Sequence, residues 1–434
     1  MAVNGGSSAG LSDVAKAVLD FQAGAVSPFA TPSNSPFAEY TLDDRLPMLI
    51  ERVMLGAAGA KSWSRLSDLQ LSLSSRGHVS ALEQNPFFPK GIWEELARRV
   101  GDWRSAPFLE LEYYFYLRVL ECTGLFFQLE KVDSSTWRYP TDLDPFSEEK
   151  RVGPVQAPAA WGHLQKRLKQ IAEKRDKRAM LTHAVDMCLY ENRTDSSQTV
   201  SPRSRQGTGD VSLGPLVIDH TRDLVSILLG GAPRHINIVA DNFSLEFLDD
   251  LVLCKAIYDA GHFETITVWV KNLPVFVSDV TYSDWLSLRD VMTKAHDAVG
   301  SLSMLLHDQR FNVRSSPFLD MPFDFSTTIR LVGHLPEMSA HQDLFAPNSV
   351  IIIKGDLNYR KLVGDRLWTP SQPLPASVVG SSQVFCLRAI KSECLIGVPG
   401  YTLPRTLEEL RDLLPRRRNV TKEGYAYLAQ RVFG

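Results

Sequence analysis

HINIVADN, residues 235–242, is a short, largely apolar run that stops abruptly on an acid and an amide. Nearly continuous β-branched residues suit a strand covered on both faces of a sheet. The same style returns at TITVWV (265–270), IRLVGHL (329–335), SVIIIK (349–354) and VFCLRAI (384–390). Helical spacing fills the intervals over about 244–261 and 283–298. Strand alternating with helix predicts a mostly parallel, doubly wound sheet, so residues 214–434 are expected to form an α/β core.

Upstream the pattern is different. Leu42, Leu46, Leu49, Ile50 and Val53 recur at helical spacing behind Asp43 and Asp44, and further helical runs lie around 91–99, 107–121 and 161–191. Residues 37–193 therefore read as a mainly helical region. Residues 1–36, rich in Gly, Ser, Ala and Pro, read as a flexible leader, docked at most in part. Residues 194–213, TDSSQTVSPRSRQGTGDVSL, are polar and without period, and read as a flexible surface loop between the two halves. No internal repeat or heptad series is found.

Composition narrows the class of function. With 44% hydrophobic and 22% charged residues in 434, the chain is an ordinary globular one. A formal charge of -3 gives no footprint for nucleic acid, and the run Arg416, Arg417, Arg418 reads as a solvated loop. Five scattered cysteines without a CxxC fit a reducing compartment. The N-terminus lacks the basic start and apolar run of a signal peptide, and no stretch approaches the roughly 18 apolar residues of a membrane span. The expected location is the cytosol, with the nucleus also open.

Open α/β sheets bind ligands beyond the carboxyl ends of their strands, which directs attention to the residues there. Asp241 and Asn242 follow the first run, with Glu246 a turn into the next helix. Ser278 and Asp279 lie beyond the second. SVIIIK leads into Gly355, Asp356, Leu357, Asn358, Tyr359, Arg360 and Lys361, and VFCLRAI, the last expected strand, ends on Lys391. Two carboxylates and an amide oxygen form a hard donor set suited to Mg²⁺, Mn²⁺ or a similar ion. Taken singly, each has a plainer reading: Asp-Asn as a turn or N-cap, Asp279 as a cap, KGDLNYR as a solvated turn, Lys391 as a surface strand end. Together at one sheet edge they point to a metal or phosphate site. Acids gathered there should repel one another in the metal-free protein. No GxGxxG, GxxxxGK[ST] or GxSxG follows any expected strand, and HExxH is missing.

At these residues the chain resembles the damage-control phosphatase family, and more narrowly its sugar-phosphate phosphatases, a subfamily that also contains proteins described as acidic-residue carboxyl methyltransferases. VADNFSLEFLDDL (239–251) is similar to the family's DN-x-x-x-E segment and LPVFVSDV (273–280) to its PWFVSD segment. IIIKGDLNYRKLVGD (351–365) is similar to its long and distinctive FKGDLNYRKL segment. YTLDDRLPMLIERV (40–53), FLELEYYFYLRVL (108–120) and LYENRTD (189–195) resemble its opening helix, its acidic-aromatic helix and its WGNxxD stretch.

The resemblance implies an all-α N-terminal portion on a three-layer α/β/α core. It implies that Asp241, Asn242 and Asp279 hold a divalent metal, with Mn²⁺ first and Co²⁺ or Ni²⁺ as alternatives. It implies substrate contacts from Asp241, Asn242, Glu246, Asp356, Leu357, Asn358, Tyr359, Arg360 and Lys391, with Asp241, Asp279, Glu246 and Lys391 taking part in catalysis. Asn192 and Asp195 lie in a matching segment. The implied reaction is phosphate release from a small phosphorylated metabolite such as fructose 1-phosphate or fructose 6-phosphate. The alternatives are S-adenosylmethionine-dependent carboxyl methylation of proteins, or metabolite binding without catalysis. Departures from the family pattern fall at Ser244, Val275, Tyr190-Glu191 and Ala389, the last inside an RTxK signature that here reads Arg388, Ala389, Ile390, Lys391.

Overall fold

The computed structural model describes residues 27–56, 60–75, 90–151, 158–191, 216–230, 234–294, 300–332, 341–373, 382–400 and 427–433. Seven strands form its main sheet: β1 (Leu216–Asp219), β2 (His235–Val239), β3 (Thr265–Val270), β4 (Phe311–Ser315), β5 (Ser349–Lys354), β6 (Gln383–Ala389) and β7 (Tyr427–Phe433). Their order is β1-β7-β6-β5-β2-β3-β4, and every pairing is parallel except β6 with β7. The chain steps outward from β2 to β3 on one side and from β5 to β6 on the other. The switch point of this doubly wound sheet therefore lies between β2 and β5, where a ligand crevice is expected.

The strand pleat explains why four of these runs are apolar at almost every position. Ile351 and Ile353 join the core on one face, and Val350 and Ile352 the core on the other. Against the first face lie the N-terminal helices α1 (Pro36–Tyr40), α2 (Leu46–Gly56), α3 (Ala60–Ser74), α4 (Lys90–Val100) and α5 (Phe108–Thr123). The second face is covered by α6 (Pro158–Ala172), α7 (Lys177–Glu191), α8 (Leu245–Ala260) and α9 (Tyr282–Lys294). The first face is completed by α10 (Phe325–Val332) and α11 (Asp356–Val363). The expected three-layer α/β/α architecture is present, but the helices of the first half divide between both faces.

α8 begins where Ser244 accepts from the Glu246 backbone N–H and ends at Gly261, which has φ 81°. The run at 161–191 is two helices, α6 and α7, rather than one. IRLVGHL is a correction. Its described part, Ile329–Val332, is the end of α10, because Asp324 caps that helix through the Thr327 N–H and the Thr327 hydroxyl, both at 2.9 Å. The strand expected there is instead β4, at the sheet edge. β6 is not the last strand, since β7 returns antiparallel beside it.

Of the expected leader, residues 27–36 are strapped onto the α/β layers. Arg366 donates to the Ser27 carbonyl at 2.7 Å, and the Ala30 N–H donates to the Asp365 carbonyl at 3.1 Å. Glu393 accepts from the Ser35 hydroxyl at 2.9 Å and from the Phe37 N–H at 2.7 Å. Residues 1–26 and the polar loop 194–213 lie outside the described residues, as do Asn192 and Asp195.

Candidate metal and phosphate site

At the switch point a cavity is lined by Asp241, Asn242, Ser278, Asp279, Asp356, Leu357, Arg360 and Lys391, together with Phe37, Arg45, Glu112 and Phe276. Four strand-end segments of the sheet thus meet the N-terminal helices. Asn242 and Asp279 form an antiparallel bridge. Around it the Phe243 N–H donates to the Ser278 carbonyl at 2.6 Å and the Val280 N–H to the Asp241 carbonyl at 2.8 Å. The turn that delivers Ser278 and Asp279 holds Phe276 at φ 60° and Val277 at φ 68°. Left-handed non-glycine residues cost about 1–3 kcal/mol each and collect at functional sites.

Asn242 has a defined amide orientation. Its Nδ2 donates to Asp241 Oδ2 at 2.9 Å and Glu246 Oε2 at 2.8 Å, while its Oδ1 accepts from the Ser278 hydroxyl at 2.6 Å. Asp241 lies hard against backbone: a Cβ at Gly355 would stand 1.9 Å from Asp241 Oδ2. Asp279 is met by the Lys271 ammonium, both side chains being buried. That contact replaces the repulsion expected among the strand-end acids with an ion pair.

Asp356 organises the opposite wall. Its Oδ1 accepts from Arg388 Nε and the Lys391 N–H, each at 2.9 Å, and from the Ser392 N–H at 3.1 Å. Burial alone would raise its carboxyl, but Arg388, Arg360 and the Lys391 segment outweigh it and hold the group below its usual range. The carboxylate therefore fixes the loop that carries Lys391. Arg360 faces the same cavity with its fork closed on Asp365 at 3.0 and 2.8 Å and on Glu112 at 3.0 Å.

Three sequence candidates stand behind the wall rather than on it. Glu246, at 0% exposure, takes Asn242 on one oxygen and Lys354 on the other. Asn358 donates to the Ala240 and Lys354 carbonyls at 3.1 and 2.9 Å, and the Tyr359 hydroxyl donates to the Ile396 carbonyl at 3.2 Å. None of the three lines the cavity; they brace the segments that do. Phe37, Arg45 and Glu112 were not singled out in the sequence. The clearest signal was Glu112, an acid inside FLELEYYFYL, and Arg45 sits on a π-helical turn, Thr41–Arg45, a form frequent at functional sites.

Among the described residues no three His, Cys, Asp or Glu side chains converge as a metal set, so an ion here would need the Asn242 carbonyl beside Asp241 and Asp279. The charges fit one. Four lining carboxylates are matched by Arg45, Arg360 and Lys391 in the lining and by Lys271 on Asp279. A divalent cation would leave a formal surplus of two positive charges, close to what a phosphate monoester neutralises.

A family model described as the damage-control phosphatase ARMT1-like domain matches residues 41–404. The protein named damage-control phosphatase ARMT1 is 23% identical in Danio rerio, covering 83% of this chain and 88% of that one. In Bos taurus it is 26% identical over 71% and 72%, and in Homo sapiens 24% over 84% and 90%. A solved DUF89 family protein from Pyrococcus horikoshii aligns with TM-score 0.45 and 16% identity, over 91% of this chain and 97% of that one.

Proposed function

The chain belongs to the damage-control phosphatase ARMT1-like family, and on that premise we propose that it is a divalent-metal-dependent phosphatase of small phosphorylated metabolites, with sugar phosphates as the substrate class. The observation that carries this reading is the convergence of Asp241, Asn242, Asp279 and Lys391 on one cavity at the sheet's switch point.

Asp241, Asp279 and the Asn242 carbonyl would hold the ion. When bound, a divalent ion supplies a Lewis acid that polarises phosphate oxygens and acidifies water. Lys391 would lie on the phosphate oxygens, its loop held by Asp356 so that the ammonium is oriented before substrate arrives. The Asp356 bonds above end on Oδ1, and its Oδ2 would accept from a substrate hydroxyl. The remaining wall, Phe37, Arg45 and Glu112, offers an apolar ring, a donor and an acceptor to the non-phosphate part of the substrate. Buried arginine and carboxylate in one wall suit hydroxyl groups, which donate and accept.

No glycine-rich loop follows HINIVA, where Asp241 and Asn242 stand instead, which favours phosphatase over carboxyl methyltransferase. The test is phosphate release from a panel including fructose 1-phosphate and fructose 6-phosphate, with Mn²⁺, Co²⁺, Ni²⁺ or chelator. Absence of metal-dependent release across the panel would refute the reading.

A further inference from the structure

Behind the cavity runs a chain of buried charge for which the reaction above has no use. Lys354, the last residue of β5, has 0% exposure, as do Glu246 and Asp250 of α8. The Lys354 ammonium donates to Glu246 Oε1 at 2.9 Å and to Asp250 Oδ1 at 2.7 Å. Glu246 Oε2 then accepts from Asn242 Nδ2 at 2.8 Å. Lys354 thus reaches a candidate metal ligand in two steps, through one carboxylate.

A side-chain amide is nearly symmetric in shape, so its hydrogen-bond partners alone decide whether oxygen or nitrogen faces a site. Both partners of Asn242 Nδ2, Asp241 and Glu246, are acceptors, and the Ser278 hydroxyl donates to the oxygen. The Lys354 ammonium, itself held by Asp250, fixes the other oxygen of Glu246. We propose that Lys354 is a positioning residue which, through Glu246, fixes the Asn242 amide with its oxygen available to a divalent cation, and so sets the affinity of the site for metal. This rests on the metal site of the proposed function.

The rival explanation is that Lys354 only ties β5 to α8. A buried ion pair is weak evidence of stabilisation, since apolar residues of similar volume often serve as well, so Lys354→Met separates the two roles. In the full chain, Mn²⁺ binding without substrate is followed by electron paramagnetic resonance of the free ion, alongside thermal unfolding in chelator. Outer partners of metal ligands typically contribute about 10–100-fold in affinity. Lys354→Met is expected to weaken Mn²⁺ binding at least about tenfold, and to raise the Mn²⁺ concentration for half-activation by the same factor. Glu246→Gln, which keeps the shape but cannot accept on both sides, is expected to weaken binding comparably. A folded Lys354→Met that binds Mn²⁺ as tightly as the parent overturns the inference. Should Lys354→Met fail to fold, Glu246→Gln decides: loss of affinity supports the relay and parental affinity overturns it. A parent that binds no Mn²⁺ overturns the metal site and the inference together, which distinguishes the two failures.

Discussion

Replacing Gly355 with alanine adds one methyl group at the point where β5 meets β2. Gly355 has φ 84° and ψ 169°, a region essentially reserved for glycine, and holding alanine there costs about 1–3 kcal/mol. The methyl carbon would also stand 1.9 Å from Asp241 Oδ2, 2.1 Å from its Cγ and 2.5 Å from Oδ1. To regain ordinary contact the carboxylate must retreat by roughly 1.5 Å, and it is buried, bonded to Asn242 and backed by the sheet. Displacement of about 1 Å in a positioned group costs on the order of 10²-fold in rate. Gly355→Ala should therefore lower kcat/KM by about a hundredfold or more and weaken Mn²⁺ binding. Gly364→Ala is the control: φ is 77°, but the nearest atom to its Cβ would be 3.8 Å away, so it should lose stability and keep activity. The assays are phosphate release at saturating Mn²⁺ and denaturant unfolding in chelator. Parental activity in Gly355→Ala would refute the placement of Asp241 against this backbone.

Lys391→Ala should lower kcat/KM by roughly a hundredfold while substrate-free metal affinity changes little, with Lys391→Arg restoring only part; kinetics and metal titration on the three proteins check this. Asp279→Ala should abolish turnover and also destabilise the metal-free protein by about 3–5 kcal/mol, because it strands the buried Lys271 ammonium. Denaturant unfolding should show that Lys271→Met in the same chain returns much of that loss. Chelation should abolish phosphate release, and Mn²⁺, Co²⁺ or Ni²⁺ should restore it better than Ca²⁺, which prefers larger oxygen cages.

The centre of the fold was legible because β2, β3, β5 and β6 are covered on both faces and so carry apolar residues at most positions. β4 was not, since FNVRS at the sheet edge exposes Asn312 and half-exposes Val313 and Arg314. IRLV misled for the opposite reason: a short apolar run looks the same in a buried helix as in a strand, and only the Asp324 cap upstream decides. Among the site candidates, Asp241, Asn242, Asp279, Asp356 and Lys391 could be found together because sheet topology brings strand ends to one edge. No local pattern could place Arg45 and Glu112 in the same wall, for they come from another part of the chain. Nor could spacing show that Glu246, Asn358 and Tyr359 turn inward, which depends on the partners waiting behind them.

The strap from Ser27 to Phe37 also bears on how the chain is made. Ser35 and Glu393, which hold it closed, are 358 residues apart in sequence. At synthesis rates of about 5–20 residues per second, the strap leaves the ribosome roughly 20–70 s before its partner exists. During that interval Phe37 has no wall to close, and the apolar faces of α1 and α2 wait for the sheet that will cover them. Such late closure between distant segments slows folding and prolongs exposure of sticky surface. A stalled or shortened nascent chain ending before Glu393 should therefore present its opening helices to chaperones and proteases.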